Sequence, residues 1–343
     1  MTTTSPDAAR TLICETAIER LEHVSRACDA EVFIKRDDQS NALYGGNKPR
    51  KLQPILARAL RDGRDTLLTA GTVGSHHALA TTVHGRATGF EVHAVLAPQP
   101  RTKHAETVIR ATLSQGAIVH GAPSMAAVVP YMVALWVGLT LEGRRVRVIP
   151  VGGSDVVGAS GYFDAMLEVR AQIERGAMGG QWPDSIVCAH GSGGTHAGLL
   201  AAQRAFSLPT RVVGVMVALP WTAPRLRTAK LARDVLWANA RGHAGGGATV
   251  RASDVELVMD QLGEGYGART TAGDEATELF AKDGIVLDPT YTAKTAAAVI
   301  ALAKSGRAKR VLFWHTLSSA PYEPLTSNVW AKLPASIEGL LKG

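Results

Sequence analysis

The strongest constraint on the fold is a regular alternation of short apolar runs with longer segments of helical periodicity. Runs rich in β-branched residues predict strands at 32–35, 66–69, 91–96, 117–120, 145–151, 185–189, 211–217 and 310–315. Apolar spacing of three and four predicts helices at 75–87, 105–114, 124–141, 161–175, 195–205, 254–262, 271–282 and 293–304. Such alternation is typical of parallel sheets flanked by helices. We therefore expect an α/β protein of two domains, each a largely parallel sheet flanked by helices.

Composition narrows the class of protein. The chain has 343 residues, 46% of them hydrophobic, which is enough for two domain cores. The formal net charge is +7, but the basic residues are scattered and aromatic residues make up only 5%. Because stacking platforms need aromatic side chains, we expect no nucleic-acid binding.

Cysteines and hydropathy indicate the compartment. Cys14, Cys28 and Cys188 form no Cys-x-x-Cys pair, so a disulfide framework or a zinc site is not expected. Residues 1–10 are polar, without the apolar core of a signal peptide. The most apolar run, 125–141, is short for a membrane span. We expect a cytoplasmic protein without a membrane segment or a metal ion.

A lysine stands at the start of a predicted helix, directly after two glycines. In the run from Gly45 to Leu52, Asn47 is suited to cap the helix, and Lys48 and Lys51 lie on one side of it. A second ammonium and partial burial both lower the pKa of a lysine. With its pKa lowered, Lys48 could attack a carbonyl and hold it as a Schiff base. From these residues alone, the alternative is a basic helix start on a solvated surface.

A second motif joins a strand to a helix through the glycine-rich turn Gly191–Thr195. Glycines let backbone amides approach an anion, and the helix N-terminus adds partial positive charge. The turn has neither the Gly-Lys-Ser/Thr of a Walker loop nor a Gly-x-Gly-x-x-Gly fingerprint. It predicts a phosphate cradle, the alternative being a tight turn with glycines for packing.

Ser75 follows another strand and glycine turn, at the start of a predicted helix. It either caps the helix or presents its hydroxyl and nearby amides to a substrate carboxylate. His76 and His77 point in different directions on a helix, so at most one of them faces a site. His76 has no partner at metal-ligand spacing, which argues against a metal centre.

Two tyrosines complete the set of candidate residues. Tyr291 and Thr292 lie where a helix is expected to begin after Asp288-Pro289, and Tyr266 lies between glycines in a predicted loop. Without further context, Thr292 could be a cap and Tyr291 a packing residue.

In this order, the motifs resemble fold-type II pyridoxal-phosphate enzymes of the D-cysteine desulfhydrase and aminocyclopropane-carboxylate deaminase family. The resemblance runs from about Thr16 to about Pro321, and the segment Gly45–Leu52 is its most specific part. It implies that Lys48 carries pyridoxal phosphate and that Ser75, Tyr266 and Tyr291 are catalytic. The implied cofactor contacts are Lys48, Asn47, Lys51, His76, Gly191, Ser192, Gly193, Gly194, Thr195 and Thr292. The implied substrate contacts are Ser75, His77 and Thr316.

The resemblance also implies the organisation of the chain. Residues 1–50 and 161–343 would form a larger domain that binds the cofactor phosphate, and residues 51–160 a smaller inserted domain. A homodimer acting on a small amino acid is expected.

Thr292 indicates the reaction. The deaminases have a glutamate at this position, next to the pyridine nitrogen, and a threonine implies a weaker electron sink. That favours α,β-elimination of D-cysteine desulfhydrase type, which gives a 2-keto acid, ammonia and the β-leaving group. The alternatives that use the same cofactor are β-replacement, racemisation and deamination of a cyclopropane amino acid.

Two alternatives lie outside this chemistry. One is a nicotinamide-dependent oxidoreductase using the turn at Gly191, although the fingerprint is absent. The second is a non-catalytic protein that binds a small molecule on the same fold. It gains weight from His76, where the family usually has asparagine, and from Leu317-Ser318, where the family has two glycines.

Overall fold

The computed structural model describes residues 12–218, 223–239, 249–327 and 332–342. The chain divides into two compact units. One contains Cys14–Lys51 and Ser154–Ser319, and the other contains Leu52–Gly153, the described residues from Ala320 onward, and Leu12 and Ile13. The domain boundaries expected at 50/51 and 160/161 stay a prediction. However, the C-terminal segment groups with the smaller unit, whereas the sequence-based prediction places it in the larger one.

The larger unit contains a six-stranded sheet in the order β1-β2-β11-β8-β9-β10. Its strands are β1 (Ile18–Arg20), β2 (Glu31–Lys35), β8 (Ser185–His190), β9 (Arg211–Met216), β10 (Glu256–Val258) and β11 (Arg310–Trp314). Every pairing in the sheet is parallel except that of β1 with β2. Carboxyl ends of parallel strands meet at one edge of a sheet, where α/β proteins bind their ligands.

Two apolar cores cover this sheet. The helices of the unit are α1 (Glu22–Cys28), the start of α2 (Asn47–Arg61), α6 (Val156–Glu174), α7 (Gly194–Ala205), α8 (Pro224–Asn239), α9 (Thr271–Ala281) and α10 (Thr292–Lys304). One core packs α6, α7 and α8 against the sheet, and the other packs α1, α9 and α10. The strands are therefore buried on both faces, as expected for a parallel sheet.

The smaller unit contains a four-stranded parallel sheet in the order β6-β4-β3-β7. Its strands are β3 (Thr66–Thr72), β4 (Glu91–Ala97), β6 (Ile118–Gly121) and β7 (Val146–Val148), and its helices include α3 (His76–Ala87), α4 (Lys103–Ser114) and α5 (Val128–Leu141). A separate parallel pair joins β5 (Gln99–Pro100) to β12 (Leu341–Lys342), which follows the short helix α11 (Ala335–Glu338). This pairing is why the C-terminal segment belongs to the smaller unit.

The α/β class with largely parallel sheets is confirmed, but one predicted helix is wrong. Segment 254–262 contains strand β10 (Glu256–Val258), which pairs in parallel with β9, and no α-helix. Its side chains alternate between buried and partly exposed, with Val255 and Leu257 inward. Burial of every second side chain, which is typical of a strand, therefore determined the structure here, and the short helical spacing of the sequence did not. The polar N-terminal residues 1–10 lie outside the described residues. Within the described ranges, the helices are too short or too polar to cross a membrane.

Candidate active site

The lysine helix begins against the loop that follows β11. Gly46 has φ +81°, and a Cβ on it would lie 2.6 Å from the carbonyl oxygen of Thr316. The Asn47 amide donates to that same oxygen at 3.1 Å. The Gly45 amide donates to Ser318 Oγ at 2.9 Å. Gly46 is therefore needed for this close approach, and the Ser318 hydroxyl supports the lysine segment.

Lys48 is half-buried, and its amine donates a hydrogen bond to Asn47 Oδ1 at 2.8 Å. Burial lowers the pKa of Lys48 to about 8, against an opposing effect from the Asp288 carboxylate. The neighbouring amine of Lys51 is also buried, and its influence on Lys48 stays a prediction. Burial, and then the charge of Lys48, hold the pKa of Lys51 well below its ordinary value. Repulsion between two ammonium groups is mutual, so protonation of either amine disfavours protonation of the other.

An ionic cluster fixes the first turn of α2 from the other side. Arg50 Nε lies 2.9 Å from both carboxylate oxygens of Asp37, and Arg50 Nη1 lies 2.9 Å from Glu168 Oε2. Lys35 Nζ donates to Glu168 Oε1 at 2.5 Å and to Gln172 Oε1 at 2.7 Å. Burial opposes ionisation of Glu168, but the hydrogen bonds and charges of Arg50 and Lys35 lower its pKa to about 2. Sequence reasoning missed this cluster because Lys35 and Glu168 lie on distant elements.

The glycine turn Gly191–Thr195 packs closely against the Ser154 hydroxyl and the Lys51 amine. Gly193 has φ +82°, and a Cβ on Gly194 would lie 2.4 Å from Ser154 Oγ and 3.1 Å from Lys51 Nζ. Ser154 Oγ is 2.7 Å from Ser192 Oγ and accepts a hydrogen bond from Lys51 Nζ at 3.3 Å. Helix α7 starts at Gly194, and the first amides of a helix have no partner within it.

These donors fit a phosphate. Helix amides, two serine hydroxyls and a lysine amine converge at the start of α7, and Asn47 Nδ2 lies 3.4 Å from Thr195 Oγ1 beside them. A dianion takes several such donors at a helix N-terminus. The turn predicted from the sequence therefore presents donors of the kind that a phosphate accepts, and its role in cofactor binding stays a prediction. Ser154 adds a hydroxyl beside the turn, although it was not among the site residues expected from the sequence.

Tyr266 and Tyr291 form a hydrogen-bonded pair. Their hydroxyl oxygens are 2.5 Å apart, and a Cβ on Gly191 would lie 4.0 Å from Tyr291 Cε1. Burial, and then the neighbouring Tyr266, hold the pKa of Tyr291 well above its ordinary value. Tyr291 therefore keeps its proton at neutral pH and can act as a donor. Tyr266 is more exposed than its partner.

Asp288 organises the start of α10. Its carboxylate accepts hydrogen bonds from the amides of Tyr291 and Thr292 at 2.7 and 3.1 Å, and from the Thr292 hydroxyl at 2.8 Å. The Asp288 amide in turn donates to Thr292 Oγ1 at 2.7 Å. The single hydroxyl proton of Thr292 is thus directed at Asp288. The sequence signal is the Asp-Pro step before a helix, which by itself indicates only a turn.

Lys294 anchors the loop that carries Tyr266. Its side chain is fully buried, and Nζ donates to the carbonyl oxygens of Leu262 and Gly265 at 2.6 and 2.9 Å. Lys294 lies on α10, three residues after Tyr291. One helix therefore holds both members of the tyrosine pair. No sequence pattern distinguishes this lysine from a surface lysine.

The remaining candidates belong to the smaller unit. Ser75 caps α3, with Oγ 3.3 Å from the Ala78 amide nitrogen. His77 is buried, with Nε2 2.9 Å from Thr69 Oγ1. The catalytic and substrate-binding roles of these two residues stay predictions.

His76 has a histidine partner that lies far from it in the sequence. Its Nε2 lies 2.9 Å from His104 Nε2 on α4. Tyr322 stands edge-on to the His104 ring, with centroids 6.4 Å apart. At least one of the two facing nitrogens must be unprotonated to accept the hydrogen bond. The role of His76 in cofactor binding stays a prediction.

The fold and the cradle define a class of protein, and the comparisons agree. Residues 9–316 match the family model described as pyridoxal-phosphate dependent enzyme. The chain therefore belongs to this family, and its cofactor is pyridoxal phosphate. The D-cysteine desulfhydrases of Salmonella paratyphi B and Salmonella newport are 33% identical over 291 residues, which cover 83% of this chain and 85% of theirs. The resemblance expected from the sequence is confirmed.

Solved structures place the fold within the same group. A structure described as an ACC deaminase homologue superposes with a TM-score of 0.79 at 29% identity, covering 96% of this chain and 95% of its own. An O-ureido-L-serine synthase structure has a TM-score of 0.62 at 18% identity, with 96% of each chain covered. At that identity the second likeness concerns the fold alone.

Proposed function

We propose that this chain catalyses pyridoxal-phosphate dependent α,β-elimination on a small amino acid, as a D-cysteine desulfhydrase does. The observation that carries the proposal is the arrangement of Lys48, with its pKa of about 8, in the same unit as the anion cradle at Gly191–Thr195. The identity to D-cysteine desulfhydrases supports the substrate class. The products would be a 2-keto acid, ammonia and the β-leaving group.

Cofactor binding divides among residues of the larger unit. Lys48 would attach the cofactor covalently through its amine. Gly191–Thr195, Ser154 and Lys51 would hold the phosphate, since their donors converge there. Asn47 would orient the Lys48 amine, to which it is already hydrogen bonded. When bound, pyridoxal phosphate supplies an electron sink that stabilises negative charge at the α-carbon of an amino acid.

The chain itself would handle the protons. Once released by the incoming amino acid, the Lys48 amine is the base that removes the α-proton. Tyr291 retains its proton and can deliver it to the leaving group, with Tyr266 as its hydrogen-bonded partner. Ser75, His77 and Thr316 are proposed to bind the substrate, with the carboxylate near Ser75.

Thr292 supports elimination over cyclopropane deamination. Its hydroxyl donates to the Asp288 carboxylate, and threonine, unlike the glutamate expected in the deaminases, has no carboxylate to offer the pyridine nitrogen of the cofactor. His76 is proposed to contact the cofactor where related enzymes have asparagine. A homodimer in the cytoplasm is part of the same proposal.

The test is addition of D-cysteine to the purified holoenzyme. We expect the visible cofactor band to shift, and sulfide and pyruvate to appear in equal amounts. A band that shifts without sulfide would contradict the elimination of D-cysteine and direct the search to other amino acids. Product analysis with an added thiol separates elimination from β-replacement, and chiral analysis of recovered substrate detects racemisation.

The purified protein also allows a test of the oxidoreductase and of the non-catalytic binding protein. A nicotinamide-dependent oxidoreductase would bind reduced nicotinamide cofactors, which is measurable by fluorescence. A non-catalytic binding protein would show the cofactor band but no turnover of any amino acid.

A further inference from the structure

Helix α5 (Val128–Leu141) contains no charged residue, which is unusual for a helix at a protein surface. Val128, Met132 and Leu139 are buried in the smaller unit, where they pack with residues of β3, β4 and β7. A helix that is apolar all round is normally covered on every side. Within this unit, α5 is covered on one side only.

The opposite side of α5 exposes an apolar stripe. The members of this α5 stripe are Val129, Val133, Trp136, Val137 and Leu141, with exposed fractions of 66, 53, 44, 43 and 84%. Their spacing of three and four places them on one face of the helix. Thr140 lies on the same face and is its polar member. The stripe is a continuous ridge of the kind that packs against a second helix.

Two further apolar side chains outside the α5 stripe are also exposed. Ile118 on edge strand β6 and Met125 before the helix are also exposed, by 43 and 41%. Together with the stripe, these side chains leave an apolar area on the order of several hundred Å², as large as the biggest patch of a typical monomer. Exposed apolar patches of that size mark binding surfaces.

A groove lies on the flank of the same helix. It has a volume of about 590 Å³ and is lined by Val95, His120, Gly121, Pro130, Tyr131, Ala134 and Leu135. The surface therefore combines a protruding ridge, including Trp136 and Leu141, with an adjacent depression. In a two-fold contact, the ridge of one copy meets the depression of the other, so one surface of this kind is complementary to itself.

A lipid surface fits less well. The 14 residues of α5 are too few to span a bilayer, and helices that lie on membranes use free basic residues to bind anionic lipids. Arg144 and Arg145 follow the helix, but Arg144 lies 3.1 Å from Glu91 and Arg145 3.2 Å from Asp65. Their charges are thus paired within the chain. The α5 stripe also contains no charged residue, so it offers no ion pair to a charged partner protein.

We infer that the α5 stripe is an interface between two copies of this chain, packed helix against helix about a two-fold axis. The inference rests on the homodimer that is part of the proposed function, and it assigns the surface that the copies share. It requires no catalytic residue, so the measurements that test it do not depend on activity.

The first test is the mass of the holoenzyme in solution, by sedimentation velocity. A charge placed in a desolvated apolar contact is costly, so Val137→Glu should halve the mass of the wild-type assembly. Leu226→Glu, at an exposed leucine of the larger unit, is the matched control and should leave the mass unchanged. If the Val137→Glu protein keeps the wild-type mass, the α5 stripe is not the interface, even where the homodimer itself is real.

The second test identifies the occupant directly. A cysteine is introduced at one position of the α5 stripe at a time, in a Cys14→Ser background, and each protein is treated with an oxidant. The three variants are Val129→Cys, Val133→Cys and Val137→Cys. In a two-fold contact the position nearest the axis lies opposite itself, so at least one variant should form a disulfide-linked pair of chains. The control variant Leu226→Cys should form no disulfide-linked pair of chains under the same treatment. The inference is overturned if none of the three cross-links.

A third measurement tests whether the α5 stripe binds a lipid surface instead of a second copy of the chain. The wild-type protein is floated with vesicles of phosphatidylcholine and phosphatidylserine. We expect it to stay unbound as a dimer. A protein that sediments as a single copy at high micromolar concentration, or that floats with the vesicles through α5, contradicts the inference.

Discussion

Lys35 and Lys48, two lysines of the larger unit, differ in their partners. Lys35 on β2 is fully buried, and its amine is saturated by the Glu168 carboxylate, the Gln172 amide oxygen and the carbonyl of Thr16. Lys48 at the start of α2 donates one hydrogen bond, to Asn47, and lies within the electrostatic influence of Asp288.

The difference supports Lys35 as a structural lysine and Lys48 as the proposed nucleophile. Burial lowers the pKa of both, but at Lys35 the charge of Glu168, 2.5 Å from the amine, works against the shift. At Lys48 the opposing charge is weaker, and the pKa falls to about 8. A nucleophilic lysine therefore needs burial with an incomplete set of partners, whereas a structural lysine needs burial with a complete set.

Replacing Lys48 gives the largest expected effect. Lys48→Ala should lose both covalent cofactor attachment and the base, reducing kcat by roughly 10³-fold or more, with the fold unchanged. The measurements are the visible cofactor band and sulfide release, and Lys282→Ala on an exposed lysine is the control. Retention of the cofactor band by Lys48→Ala would contradict the assignment and remove the basis of the comparison.

Replacing Lys35 should act on stability instead. Lys35→Met leaves the Glu168 charge with fewer buried partners, and removing one member of a buried ion pair costs about 3–5 kcal/mol. Urea denaturation measures this loss, while activity per folded molecule should stay close to wild type. The double variant Lys35→Met/Glu168→Gln should recover part of the stability. An activity loss at full stability would show that Lys35 is not a structural lysine.

Lys51 lies between these two cases. Lys51→Met should weaken cofactor binding by roughly 10–100-fold, because a hydrogen bond to a charged group contributes about 1.5–3 kcal/mol. Titration of the apoprotein with pyridoxal phosphate measures the affinity. If Lys51→Met binds the cofactor as wild type does, the amine does not touch the phosphate, and its contact with Ser154 is structural.

The pH dependence of cofactor attachment tests the pKa of Lys48. The neutral amine is the nucleophile, so the attachment rate of the apoprotein should rise with pH, with a midpoint near the pKa of about 8. Asp288 stabilises the ammonium, so Asp288→Asn should move that midpoint to lower pH. A midpoint near the ordinary value of 10.5 would mean that Lys48 is not desolvated.

Acid stability gives the smallest expected effect. The pKa of Glu168 is lowered to about 2 from 4.5. A lowered carboxylate pKa stabilises the fold above pH 4.5, and this stabilisation is lost as the pH falls through 2. In Glu168→Gln the corresponding slope of unfolding free energy between these pH values should decrease. An identical slope in both proteins would assign the acid sensitivity to other carboxylates.

Local motifs were predictable because their physics is local. Gly45–Lys48, the turn at Gly191 and the cap at Ser75 each depend on residues adjacent in the chain, where backbone conformation and helix capping decide the outcome. The alternation of strands and helices likewise determined the α/β class. The helix predicted at 254–262 is wrong because a three-residue strand carries too few residues to establish a period.

The sequence by itself determined the class of fold, and it indicated Lys48 as the candidate nucleophile and Gly191–Thr195 as the candidate phosphate turn. The tertiary structure decided which lysine has a complete set of partners, because Lys35 and Glu168 lie 133 residues apart and meet only through folding. It also decided that Lys294 holds the Tyr266 loop. The exposure of the α5 stripe was equally beyond the sequence, since an apolar helix has the same pattern whether it is buried or half-covered.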